Sequence, residues 1–162
     1  MTEQSRSIAL TVNGEDVRET VEVRTTLVDF LRERLGLTGS HVGCEHGVCG
    51  TCSVRLDGVV VRGCLTLAVQ CDGHKVETIE GASDSGALAD LQETFRTRNA
   101  LQCGYCTPAM LLTAAELLAR GDVPSRAAIR EHLSGNYCRC TGYHAIGDAV
   151  EAVARARAGA TS

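Results

Sequence analysis

The chain has one lysine, Lys75, no tryptophan, and an aromatic content of 3%. Its net charge is -4 and its arginines are spread out rather than massed, so there is no electrostatic footprint for nucleic acid. With so few aromatic rings, base-stacking platforms and aromatic ligand cages are not expected. No stretch approaches the ~20 apolar residues that cross a membrane, and MTEQSRSIALTVNG lacks a basic segment followed by an apolar run. The expectation is a soluble, cytoplasmic protein with no membrane insertion. Also missing are a G-x-G-x-x-G after a strand, a P-loop and a nucleophile elbow. The scattered Asp, Glu and His read as solvated surface, so no catalytic residue is expected on this chain.

What is abundant is cysteine. Nine occur in 162 residues, an odd number, and in a reducing compartment they read as metal ligands or free core thiols rather than a disulfide framework. The rest of the composition is ordinary, with 44% hydrophobic and 22% charged residues. That length can bury one core or two small ones.

The pattern along the chain suggests two. IALTVNGEDVRETVEV alternates around Asn13-Gly14 as a β-hairpin does. TTLVDFLRERLG sets Leu27, Phe30, Leu31 and Leu35 on one helical face, with Thr26 and Asp29 as an approximate capping box and Gly36 as a stop. CSVRLDGVVVRGC reads as two strands joined at Asp57-Gly58, and HKVETIEG supplies one more. Residues 1–80 are thus expected to form a small α+β unit and 81–162 a helical one, joined by the small, polar run GASDSGA. In the helical half, one stripe comprises Leu88, Leu91 and Phe95, and another Met110, Leu111, Ala114, Leu117 and Leu118. Thr107-Pro108 and Pro124-Ser125 read as helix starts, and Ile146, Ala149, Val150 and Val153 mark the last of four short helices.

Eight of the cysteines fall into two sets. Cys44, Cys49, Cys52 and Cys64 are spaced C-x4-C-x2-C-x11-C, and the first three match the plant-type [2Fe-2S] ferredoxin pattern. Gly43, Gly47 and Gly50 would allow a tight, partly left-handed loop whose N–H groups point at an anionic cluster. A four-cysteine zinc site is the plainer reading, though such sites more often pair two C-x2-4-C knuckles. A Rieske centre on Cys44, His46, Cys71 and His74 would leave Cys49, Cys52 and Cys64 unused, so His46 and His74 are expected to be exposed loop residues. The second set is Cys103 and Cys106 in QCGYC with Cys138 and Cys140 in YCRCTGY, at helix ends where dipoles favour thiolates. Taken alone it could hold zinc as readily as a second [2Fe-2S] cluster. Cys71 is left over, a buried small hydrophobe or inert thiol.

The stretches TTLVDFLRERLGLTGSHVGCEHGVCGTCSVRLDG, CLTLAVQ, QCGYCTPAMLLTA and SGNYCRCTGYHAI together resemble the iron-sulfur subunit of the molybdenum hydroxylases, the family of xanthine dehydrogenase, aldehyde oxidoreductases and aerobic carbon monoxide dehydrogenases. The resemblance implies an N-terminal β-grasp ferredoxin domain and a C-terminal four-helix domain, each with one [2Fe-2S] cluster. It implies a large subunit holding molybdenum-pterin and a medium subunit holding FAD, in a dimer of heterotrimers. Electrons would pass from molybdenum to the Cys103/Cys106/Cys138/Cys140 cluster, then to the Cys44/Cys49/Cys52/Cys64 cluster, then to FAD. Gln102 resembles the residue that hydrogen-bonds the pterin, and Cys140 the ligand whose sulfur also contacts it. Cys71 stands where a smaller residue is expected in relatives. The competing readings are a stand-alone two-cluster ferredoxin and a zinc-binding interaction module.

Overall fold

The computed structural model describes residues 4–160. Strands β1 (Ser5–Val12) and β2 (Glu15–Glu22) form the expected hairpin, turning through Asn13 and Gly14, both at positive φ as a type I′ turn demands. Alternation along β1 sends Ile8, Leu10 and Val12 inward. A second hairpin joins β3 (Ser53–Leu56) to β4 (Val59–Arg62) through Asp57-Gly58. The short β5 (Lys75–Glu77) closes the mixed sheet, parallel to β1 and antiparallel to β3, in the order β2-β1-β5-β3-β4. This is the β-grasp arrangement.

The helix across this sheet is less regular than its sequence suggests. Thr26 Oγ1 accepts from the Asp29 N–H at 3.2 Å and donates to the Asp29 carboxylate at 2.6 Å, starting α1 (Leu27–Asp29). The chain then widens into a π-helical turn over Phe30–Arg34, in which the Leu35 N–H reaches the Phe30 carbonyl. The periodicity identified the buried face, since Leu27, Phe30 and Leu31 are fully buried, but not the pitch that also buries Val28. Cys71 ends a 3-10 turn (Ala68–Cys71) and is wholly buried with Ile8, Phe30, Val54 and Val76.

The run GASDSGA is not a linker. Its first four residues lie in α2 (Ile79–Asp84), which buries Ile79 and Ala82 in the helical core. Beyond it come α3 (Ala89–Thr97), α4 (Thr107–Leu118), α5 (Arg126–His132) and α6 (His144–Ala160). Cys106, not Thr107, is the N-cap of α4, so Pro108 takes the second helical position. The expected stripe on α4 is too narrow, because Ala109, Leu112 and Ala115 are buried as well. The helix lies between the other helices and strands β3 and β4, and an element covered on two sides is apolar nearly all round. On that boundary the Val60 N–H donates to Glu116 Oε1 at 2.8 Å, tying β4 to α4. At the far side Arg157 grips Asp90 with two hydrogen bonds of 2.7 and 2.9 Å, fastening α6 to α3.

Candidate functional site

Cys44, Cys49 and Cys52 come from the loop leading into β3, and Cys64 from the turn after β4. The β3–β4 hairpin therefore brings together thiols that are distant in sequence. Cys52 and Cys64 are buried, while Cys44 and Cys49 are half-buried. The thiols pair through side-chain hydrogen bonds, Cys44 with Cys49 and Cys52 with Cys64. The Cys49 N–H lies 3.4 Å from Cys44 Sγ, and the Cys64 N–H 3.5 Å from Cys52 Sγ. Backbone N–H groups of Cys49 and His46 pull the Cys44 thiol down to about 6, whereas burial pushes Cys52 up to about 11. Gly47 and Gly50 are left-handed, as the loop's shape requires, but Gly43 is bare for room. A Cβ there would sit 3.0 Å from both Cys49 Sγ and Thr51 Oγ1.

The second set gathers at helix ends. Cys106 caps α4, Cys103 lies in the turn before it, and Cys138 and Cys140 precede α6. Here too the sulfurs pair, with Cys140 Sγ 3.6 Å from Cys103 Sγ, while Cys106 and Cys138 share a side-chain hydrogen bond. The first pair is exposed, Cys106 is buried and Cys138 half-buried. Burial is the main cause that raises Cys106 to about 12. Burial works in the same direction on Cys138, but hydrogen bonds from the Thr141 hydroxyl and N–H overcome it and hold that thiol below its ordinary value. Gln102, exposed beside Cys103, donates from Nε2 to the Cys140 carbonyl at 3.1 Å.

Two bridges hold the sets against each other. The Tyr137 N–H donates to the Cys49 carbonyl at 2.8 Å, so one hydrogen bond and one peptide separate a cysteine of the first set from Cys138 of the second. Arg62 braces this contact, donating to Ser53 Oγ at 2.5 Å and to the Gly135 carbonyl at 2.7 Å. The buried Asn136 donates to the Gly50 carbonyl at 3.4 Å. On the second bridge the rings of His41 and Tyr105 stack at 4.5 Å, His41 Nδ1 meets the Tyr105 carbonyl at 2.7 Å, and the Tyr105 hydroxyl donates to the Val42 carbonyl at 2.8 Å. Sequence patterns could not reveal these partners, since every contact but Arg62–Ser53 joins residues more than sixty apart. Only Thr51, inside CGTC, and Thr141, after CRC, lay close enough to the cysteine motifs to be noticed.

The donor chemistry fits two binuclear sites. A mononuclear zinc needs four ligands around one point, whereas the thiols of each set approach two by two. Thiols in two pairs per set match two irons, each taking two thiolates. The histidines of the Rieske alternative are engaged elsewhere, His74 with Asp57 at 2.6 Å and His46 with the Cys44 carbonyl, and both are exposed. Cys71 belongs to the sheet core, its thiol pushed up to about 11 by burial.

Known proteins show the same division. Residues 10–74 match the family described as 2Fe-2S iron-sulfur cluster binding domain, and residues 78–151 the one described as [2Fe-2S] binding domain. The chain is 49% identical over 152 residues to caffeine dehydrogenase subunit gamma of Pseudomonas sp. (strain CBB1), covering 92% of this chain and 91% of that one. It is 51% identical over 143 residues to the nicotine 6-hydroxylase small subunit of Paenarthrobacter nicotinovorans, covering 88% and 86%. Among solved structures, quinoline 2-oxidoreductase from Pseudomonas putida 86 superimposes with a TM-score of 0.86 at 49% identity, over 95% of this chain and 96% of that one.

Proposed function

Because this chain belongs to the iron-sulfur subunits of the molybdenum hydroxylases, we propose that its paired cysteines are the ligands through which it carries electrons. It is an electron-transfer subunit of a multi-subunit oxidoreductase and contains two [2Fe-2S]-binding domains. Cys44 and Cys49 would hold one iron of the first cluster and Cys52 and Cys64 the other. Cys103 with Cys140 and Cys106 with Cys138 would divide the second in the same way. A bound [2Fe-2S] cluster takes up and releases a single electron. The chain's own residues supply the rest. Backbone N–H groups of Cys49 and Cys64 face ligand sulfurs, the core excludes water from Cys52 and Cys106, and the Tyr137 N–H···O=C Cys49 bond fixes the gap between the sets.

The single observation that supports placing the second set on the molybdenum side is its exposure. Cys103, Cys140 and Gln102 lie open at one surface, as they must if Gln102 and Cys140 meet a pterin held by another subunit. The partners are then a large molybdenum-pterin subunit on that side and a medium FAD subunit near the Cys44 loop, in a dimer of heterotrimers in the cytoplasm. The relatives named for caffeine, nicotine and quinoline share nitrogen-heterocyclic substrates, and we place this enzyme's substrate in that class, selected by the large subunit. The test is rapid-mixing reduction of the native complex by such a substrate. In a Cys64→Ser complex the molybdenum centre still reduces while FAD reduction slows by orders of magnitude; an unchanged FAD rate would refute the route.

A further inference from the structure

Resting on the ligand assignment just given, we propose that Thr51 and Thr141 are a matched pair of potential-setting residues, each donating a hydroxyl hydrogen bond to one cysteine sulfur of its own cluster. Thr51 Oγ1 lies 3.1 Å from Cys49 Sγ, and Thr141 Oγ1 lies 3.1 Å from Cys138 Sγ. A thiolate bound to iron has no proton to give, so in the loaded protein the hydroxyl is the donor in both contacts. Both hydroxyls are held for that purpose. Thr51 is only 5% exposed, and Gly43 leaves the space that the Cys49–Thr51 pair fills. The Thr141 hydroxyl accepts the Tyr143 N–H at 3.2 Å, which turns its own proton toward Cys138.

The two sulfurs chosen are significant. Cys49 and Cys138 are the cysteines on either side of the Tyr137 N–H···O=C Cys49 bond, where the two sets approach through the backbone. A donor on a ligand sulfur favours the cluster state with the extra electron, because that state carries one more negative charge. Each threonine therefore raises the potential of its own cluster, and the pair sets the step between them. Thr51 and Thr141 touch neither substrate nor the reacting atoms. They act through the sulfurs.

The experiment is an EPR-monitored redox titration of each cluster in the native complex, comparing wild type with Thr51→Val, Thr51→Ser, Thr141→Val and Thr141→Ser. Valine keeps the shape and loses the donor; serine restores the donor. The expected result is a downward shift confined to the ferredoxin-type cluster in T51V and to the helical cluster in T141V, with both serine variants near wild type. Unchanged potentials in the valine variants, or equal shifts of both clusters in either one, overturn the proposal. If T51V fails to assemble, the less buried Thr141 carries the same test. Failure of the underlying ligand assignment looks different: wild type itself would then lack two [2Fe-2S] signals.

Discussion

The tightest point between the two cysteine sets is Gly50, and alanine there should loosen them. Gly50 has φ +75, a conformation that costs an L-residue about 1–2 kcal/mol. Its added Cβ would overlap the Gly135 carbonyl oxygen and lie 3.0 Å from Asn136 Cα, both parts of a backbone that cannot rotate away as a side chain could. The strands of contact must part, weakening the Cys49–Tyr137 bond at 2.8 Å and the Arg62–Gly135 bond at 2.7 Å. A neutral bond contributes roughly 1 kcal/mol and a charged one about 1.5–3 kcal/mol. Together with the backbone strain, Gly50→Ala is expected to cost about 3–5 kcal/mol. Gly58 is the control, with φ +86 and nothing within 4 Å of its hypothetical Cβ, so Gly58→Ala should cost only the strain. Thermal unfolding of the cluster-loaded native complex, followed by visible absorbance, compares the two. Equal losses in G50A and G58A would show that the close approach contributes nothing.

Arg62→Met leaves the Gly135 carbonyl without its charged donor and should destabilise by roughly 2–3 kcal/mol, with Arg62→Lys recovering part of it, read in the same unfolding assay. Cys71→Ala should leave iron content unchanged while costing about 1–2 kcal/mol, since it empties space in the sheet core; lost iron would make Cys71 a ligand. Asp90→Asn should cost no more than about 1 kcal/mol, because the Arg157 pair is half-exposed. The Arg157 hydrogen bonds lower the Asp90 carboxyl below 3.8, so its contribution is complete above that pH and disappears as acid protonates the folded state. The wild-type advantage over D90N, measured by denaturant titration from pH 7 to 3, should shrink only toward the acid end.

Local chemistry was legible in the sequence, and geometry assembled from distant segments was not. Both two-residue turns, Asn13-Gly14 and Asp57-Gly58, could be read because a hairpin turn needs positive φ at those positions. The grouping of the cysteines could be read because the spacing within each set is short-range except before Cys64 and Cys138. Helix α2 was missed because Gly81, Ser83 and Asp84 have turn propensity, and tertiary burial of Ile79 and Ala82 overrides it. The wider buried face of α4 was missed because periodicity reports one packing surface and this helix has two. The Arg62–Gly135 brace and the His41–Tyr105 stack leave no pattern, since a polar side chain's partner across sixty residues is decided by the fold.

The most direct test of two binuclear clusters on one polypeptide is chemical analysis of the natively assembled complex for iron, acid-labile sulfide and zinc, normalised to this chain. Two [2Fe-2S] clusters require about four irons and four sulfides. Zinc in place of iron, with no sulfide, would contradict the account.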